Sequence, residues 1–400
     1  MRVLFSSVPL HGHVYPMLPL AVAAAGQGHD VGYAVSGSLH RPLRGLGFTT
    51  MSVGMEFSAA LDRAAQVAFG DNGAQPPLRA DDVRIFRQRE PHPVSRLAPI
   101  VFGAVLPRAY VSDLGPILAD TRPDLVVYDM ANLGARLAAH LAGVPAVAHG
   151  VGMFAREFRR AVVTAFAPVA AEVESGVDVS ALFGPDEIYL DICPPSLRGE
   201  DSATGSARQF PMRPVAFAEP ARLPAVVTRG DRPLVYLTLG TVFGDVDVLR
   251  AAIDGLAALD VQVMVAAGPT VAIERLGELP VNVVVEAWVP QADLIPYASL
   301  VVHHGGAGTT LAALAADVPQ LFLPQGADQP LNAAAVIAAG AGGQLLPGEV
   351  TAMAVTAKAT TLMSDMDTEL RCSALATEIA TMPSPAMIAG RFEEFSGVSM

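Results

Sequence analysis

Apolar runs of strand length alternate along this chain with stretches whose apolar positions recur at helical spacing. "RVLFSSV" (2–8) reads as a strand, and the apolar pattern from Met17 to Ala25 reads as the helix after it. "HDVGYAVS" (29–36), "GFTTMSV" (47–53) and "DLVVYD" (124–129) are further strands. The last feeds the helix "LGARLAAHLAG" (133–143) and the strand "VPAVAHG" (144–150). This alternation predicts a parallel sheet covered by helices. The pattern breaks at the proline-rich passage "FPMRPVAFAEPARLP" (210–224) and then restarts. "PLVYLTLGT" (233–241), "VQVMVAAG" (261–268), "VNVVVEAW" (281–288), "SLVVHHGG" (299–306) and "VPQLFLPQG" (318–326) supply five more strands with helices between. The prediction is two open α/β sheets with a cleft between their domains, where ligands sit beyond the carboxyl ends of the strands. Residues 54–115 are less regular and carry scattered Met, Phe and Arg. They read as a mobile wall of a binding cavity or as plain surface helices and loops.

Composition narrows this picture. At 400 residues, with 52% hydrophobic and 16% charged, the chain can build two domains with sizeable cores. Its net charge of -13 disfavours nonspecific nucleic-acid binding, which needs an excess of Lys and Arg. Lys358 is the only lysine, and this, with the alanine richness, reads as coding bias. Cys193 and Cys372 form no motif, which fits a reduced setting better than a disulfide framework. The N-terminal apolar run is broken by "HGH" and by Pro9, Pro16 and Pro19, a poor signal-peptide core. No stretch reaches the ~20 apolar residues of a membrane helix without Gly or Pro breaks. The expectation is a soluble cytoplasmic protein with no stable membrane insertion.

Candidate chemistry is concentrated in the second half. "SLVVHHGGAGTTLAALAA" (299–316) reads as strand, glycine loop and helix. Clustered glycines imply a tight turn or the close approach of a ligand to the backbone. N–H groups at a helix start have no internal partners, and the helix dipole adds partial positive charge there. The loop can therefore hold a phosphate, with a hydroxyl from Thr309 or Thr310, or be a turn with no ligand. Trp288 in "WVPQ" (288–291) ends the preceding strand and suits either a nucleobase stack or a core. Asp328 and Gln329 in "PQGADQPLN" (324–332) suit sugar hydroxyls or a helix cap. Base, diphosphate and sugar groups in one stretch suggest a nucleotide sugar. In the first half, "HGHVYP" (11–16) falls in the loop after the first strand, facing the same cleft. A histidine there can act as a general base. Asp129 can stabilise its protonated form, although each is singly also a polar loop residue. No G-x-S-x-G accompanies them, which disfavours a serine hydrolase. "DVD" (245–247) and "DMD" (365–367) superficially resemble metal ligands, but read better as a helix start and a solvated turn. No metal is expected.

With "LTLGT" (237–241), "WVPQ", "HHGGAGTT" and "ADQPLN" in this order and spacing, the chain resembles the inverting, nucleotide-sugar-dependent glycosyltransferases of the GT-B fold. The likeness is to actinobacterial enzymes that glycosylate macrolide, enediyne and aromatic polyketide aglycones. It spans nearly the whole chain and is strongest from Leu234 to Asn332. It implies an acceptor domain over 1–212, a linker over 213–230, a nucleotide-sugar domain over 231–375, and a C-terminal helix within 376–400 that crosses back to the first domain. By position, His13 falls on the catalytic base and Asp129 on its carboxylate partner. His304 falls on the phosphate-binding histidine, with Gly305, Gly306, Gly308 and Thr309 lining the diphosphate. Trp288 takes the base-stacking place beside Val289 and Gln291, Thr241 faces the donor, and Asp328 and Gln329 hold the sugar.

Two positions depart from the family. Tyr15 replaces the Asn of "GHVNP", which alters the acceptor pocket. Ala312 stands where many relatives carry a Glu that binds both ribose hydroxyls, and this favours a dTDP-linked donor, a deoxysugar, over a UDP-linked one. The implied reaction is a single displacement onto a hydroxyl of a hydrophobic small molecule, with a dTDP-sugar as co-substrate and no metal or other cofactor. A homodimer is admitted. Met51, Met55, Phe57, Phe86, Phe102, Met130, Met153 and Phe154 are the expected acceptor contacts, although Met and Phe also fill ordinary cores. The rivals are a nucleotide-sugar epimerase on the same fold and a noncatalytic auxiliary protein, which has no need of His13 and Asp129. A third, membrane-lipid glycosylation, would use a basic patch such as Arg84, Arg87, Arg89 and Arg96.

Overall fold

The computed structural model describes residues 1–69, 93–153, 156–198, 207–229, 231–242 and 244–397. The first sheet contains β1 (Arg2–Ser6), β2 (Asp30–Val35), β3 (Thr49–Ser52), β4 (Leu125–Asp129), β5 (Ala146–His149), β6 (Ile188–Asp191) and β7 (Arg208–Pro211). All pair in parallel, in the order β3-β2-β1-β4-β5-β6-β7. The second contains β8 (Leu234–Thr238), β9 (Gln262–Ala266), β10 (Val283–Glu286), β11 (Ala298–His303), β12 (Gln320–Phe322) and β13 (Gly342–Gln344), in the order β10-β9-β8-β11-β12-β13. Both sheets are covered on two faces, so their central strands are continuous apolar runs. Within β1, Val3 and Phe5 enter one core and Leu4 the core on the opposite face, as a side-chain period of two requires.

Strand order reverses between β1 and β4 in one sheet, and between β8 and β11 in the other. Reversal points leave a crevice at the carboxyl ends of the strands, where ligands of open α/β sheets bind. The segments after β1, β8 and β11 carry His13, Thr241 and His304, and Asp129 ends β4. The two crevices face each other across one cavity.

The chain's end ties the domains together. The helix Met366–Thr381 runs unbroken through residue 375, so a boundary placed there divides a single helix. The chain turns only after it. Arg213 N–H then donates to the Pro383 carbonyl at 2.8 Å. Gln27 Nε2 donates to the Ala386 carbonyl at 2.7 Å, and the Phe395 ring centroid lies 5.1 Å from that of Phe210 on β7.

Several local expectations need correction. The histidine-bearing "HGHV" is one helical turn, His11–Val14, and not a loop. Residues within 54–115 that the structure describes form regular helices, Phe57–Phe69, Pro93–Ile100 and Leu106–Thr121, with a π-helical turn at Val101–Val105. Pro99 and Pro107 bracket that turn, and neither has an N–H to donate to a helical ladder. The run Leu97–Thr121 is long and apolar enough to span a membrane by length and composition, yet it buries Leu106, Tyr110, Leu114 and Leu118 in the first domain's core. Phe210 and Pro211, which open the proline-rich passage, belong to β7, and the linker ends in a helix at Ala225–Arg229. Arg84, Arg87, Arg89, Phe86 and Phe154 lie outside the described residues, as does the side chain of Arg96.

Candidate active site

The cavity between the domains has a volume of about 440 Å³. On the first domain's side, the turn His11–Val14 places His13 against Asp129, with Nδ1 2.8 Å from Oδ2. Asp129 is wholly enclosed, while the His13 side chain keeps 13% exposure. The carboxylate also accepts Val8 N–H at 3.2 Å and Ala131 N–H at 2.8 Å. With its oxygens accepting throughout, His13 Nδ1 is the donor of the shared hydrogen bond. Nε2 then carries the lone pair of the neutral ring. Burial alone would lower the His13 pKa. The charge of Asp129, its hydrogen bond and the charge of Asp328 outweigh burial, and the net shift is upward. The ring stacks on Phe102 of the π-helical turn at 5.9 Å.

The two adjacent histidines at the end of β11 divide into different tasks. His303 is fully buried; its Nδ1 accepts Gly305 N–H at 3.2 Å, which leaves Nε2 to donate to Gln320 Oε1 at 2.9 Å. It holds the turn at Gly305, whose φ is +98°. His304 lines the cavity between Gly240 and Gly306, where an added Cβ would come within 2.6 Å and 2.5 Å of its ring. Burial pushes its pKa down to about 4, with the Thr238 backbone opposing, so the imidazole is neutral near pH 7.

The helix Ala307–Ala315 follows with no side-chain cap. Its first N–H groups have no carbonyl within their own helix and lie at the dipole's positive end. Ala307, Gly308 and Thr309 line the cavity, and no described lining residue is Lys or Arg. The arrangement can hold an anion by dipoles without fixed cations. Thr309 and Tyr236 hydroxyls both donate to Gln291 Oε1 at 3.3 Å, which fixes the Gln291 amide beside that helix.

Trp288 is 46% exposed at the cavity wall, so the core reading of this residue fails; Val289 beside it is buried. Asp328 stands at the start of the helix Gln329–Ala338, but its carboxylate makes no cap. It accepts from Asn332 Nδ2 at 2.8 Å instead. Burial raises its pKa, against that hydrogen bond and the charge of His13. Gln329 is half committed, because its Oε1 accepts Gln325 N–H at 2.7 Å and Gly326 N–H at 3.0 Å. Its amide nitrogen is the group left for a ligand. Thr241 also lines the cavity, whereas Gly305 and Asp129 stand behind the wall.

The apolar wall differs from the residues expected for it. Phe57 and Phe102 line the cavity, joined by Leu10, Ala98, Val151, Phe158 and Ile192. Met51, Met55 and Met130 pack with one core of the first domain and Met153 against the other. Leu10, Val151 and Ile192 follow the carboxyl ends of β1, β5 and β6, so strand position was the signal for them and residue type was not. Among the described residues no group of three or more His, Cys, Asp or Glu is placed to hold a metal ion. "DVD" is a helix start, with Asp245 Oδ1 accepting Asp247 N–H at 2.8 Å. "DMD" is likewise a cap and not a plain turn, with Asp365 Oδ1 accepting Asp367 N–H at 3.3 Å.

Two parallel α/β domains with a dipole-based anion site facing a histidine–carboxylate pair define a GT-B protein. Comparison with known proteins narrows this. Residues 250–395 match the family described as Erythromycin biosynthesis protein CIII-like, C-terminal domain. The chain is 33% identical to L-demethylnoviosyl transferase of Streptomyces niveus, over 97% of each chain. It is 29% identical to the elloramycin glycosyltransferase ElmGT of Streptomyces olivaceus, over 100% of this chain and 98% of that one. The glycosyltransferase SsfS6 of Streptomyces sp. SF2575, solved with thymidine diphosphate, superposes with a TM-score of 0.77 at 26% identity, over 98% of this chain and 99% of that chain. The chain belongs to the actinobacterial antibiotic glycosyltransferases, and it is a nucleotide-sugar-dependent enzyme of natural-product glycosylation.

Proposed function

We propose that the enzyme transfers a deoxysugar from a dTDP-sugar to a hydroxyl of a hydrophobic aglycone, with inversion at the anomeric carbon. The observation that carries this reading is the His13–Asp129 pair, 2.8 Å apart, facing the uncapped start of the helix Ala307–Ala315 across one cavity. The acceptor lies on the apolar wall of Phe57, Phe102 and Phe158. His13 Nε2 takes the proton from its hydroxyl, the oxygen attacks the anomeric carbon, and the bond to the diphosphate breaks on the opposite face. Asp129 stabilises the imidazolium that forms. A positioned base is worth ~10²–10⁴ in rate. His304 and the helix N–H groups stabilise the departing diphosphate, and these together take the place of a metal ion.

The donor's nucleoside follows from Ala312. It is 7% exposed, lines the cavity and packs with Val289, Leu294 and Ile295. An alanine offers no acceptor to a ribose 2′-hydroxyl, which would be desolvated without a partner; a 2′-deoxynucleotide avoids that cost. The thymidine diphosphate bound to SsfS6 supports the same choice. Thymine would stack on Trp288, and Asp328 with the Gln329 amide nitrogen would hold the sugar. The test is product analysis by NMR after reaction of a dTDP-deoxysugar with hydroxylated polyketides. Inverted linkage and acceptor-dependent dTDP release are expected. Donor consumption without acceptor would favour the epimerase reading.

A further inference from the structure

Glu219 and Asp328 are the only carboxylates among the described residues lining the cavity, and Glu219 lies in the interdomain connector. Its Oε1 accepts a hydrogen bond from the Tyr15 hydroxyl at 2.5 Å. Tyr15 directly follows the turn His11–Val14 that bears His13. Its ring meets Phe217 of the connector edge-on at 5.2 Å and His11 at 5.2 Å, and His11 in turn lies 5.6 Å from Trp288 on the other domain. A continuous set of contacts therefore runs from Trp288, through the base-bearing turn, to the connector.

The turn continues through the 3-10 turn Tyr15–Met17 into the helix Leu18–Gly26, and Val14 is buried in the first domain's core, so its far end is fixed and its first turn, at the cavity, is the free one. This turn also lacks a side-chain cap at Leu10. On the cavity side its pose is set by Asp129 through His13 and by Glu219 through Tyr15. Burial, then the Glu219 hydrogen bond and charge, raise the Tyr15 pKa, so the phenol remains a donor at neutral pH. The carboxylate therefore has a permanent partner.

We infer that Tyr15 and Glu219 are positioning residues: their hydrogen bond anchors the base-bearing turn to the interdomain connector and thereby aims His13 at the acceptor hydroxyl. The inference rests on His13 being the base. Neither side chain takes part in the chemistry.

The test uses the full chain, a dTDP-deoxysugar, and the hydroxylated polyketide that the wild-type chain glycosylates fastest. Tyr15→Phe keeps the ring contacts and removes only the hydroxyl. It and Glu219→Ala should each lower kcat about five- to tenfold, the scale of one typical net hydrogen bond. The dTDP dissociation constant and melting temperature should stay near wild type, and the double variant should be no worse than the poorer single. Glu219→Gln keeps an accepting oxygen and should retain most of the wild-type kcat. An unchanged kcat in Tyr15→Phe would overturn the inference, as would additive losses in the double variant or losses matched by weaker dTDP binding. A His13→Ala variant with wild-type turnover would instead overturn the base assignment on which this rests.

Discussion

Gly240 leaves no space for a side chain beside His304: a Cβ there would stand 2.6 Å from both Cε1 and Nε2 of the ring. Its φ of +81° is also a conformation that glycine adopts at little cost. Position 240 therefore seats the imidazole that the proposed diphosphate site uses. Gly240→Ala should weaken dTDP binding about tenfold, equivalent to ~1.4 kcal/mol, by displacing His304. Calorimetric titration checks this, and unchanged affinity would detach His304 from the diphosphate.

The pH dependence should separate the two histidines. His304, with its pKa near 4, stays neutral throughout the working range, so dTDP affinity should show no inflection from it above pH 6. His13 must be neutral to accept a proton, and its pKa is raised. kcat/KM should fall as pH drops through that raised value. Asp129→Asn removes the charge that opposes burial, so the acid limb should move to lower pH while the plateau falls sharply. Rate profiles of both proteins test this; a limb that stays in place would show that His13 does not set it.

Ala312 makes donor choice testable by gain of function. The wild-type chain should bind dTDP more tightly than UDP by about 1–2 kcal/mol, since one 2′-hydroxyl near solvent is only partly penalised. Ala312→Glu should narrow that gap by restoring an acceptor for the ribose. Equal affinity in the wild-type chain, measured by calorimetry, would sink the argument from position 312.

Transfer should persist in excess chelator. Asp245 and Asp365 are spent on helix caps, and in the proposed site the diphosphate would face backbone dipoles. Activity lost to EDTA and restored by magnesium or manganese would contradict this.

Central parallel strands were legible in the sequence because burial on both faces writes them as unbroken apolar runs, as in "LVVYD" of β4 and "LVYLT" of β8. The edge strands β7, "RQFP", and β13, "GGQ", carry no such signal and owe their conformation to the neighbours they pair with. The motif residues around His304 stood out because glycines and paired histidines are costly without a purpose. Composition could not separate core from cavity among Met and Phe. Met51 and Phe57 differ in fate through their elements, one on β3 beneath a helix layer and the other opening the helix Phe57–Phe69. The partnership of Tyr15 with Glu219 spans 204 positions and shows only in three dimensions.

Replacement of His13 by alanine tests the central claim most directly. Asp129, the donor helix and the apolar wall all remain in that variant, and only the proposed base is removed. Steady-state transfer from a dTDP-deoxysugar should fall at least about 10²-fold, the lower bound of general-base catalysis. The dTDP dissociation constant by calorimetry should stay within about twofold, because the nucleotide groups lie on the other domain. Turnover near the wild-type value would contradict the account and remove His13 from the reaction.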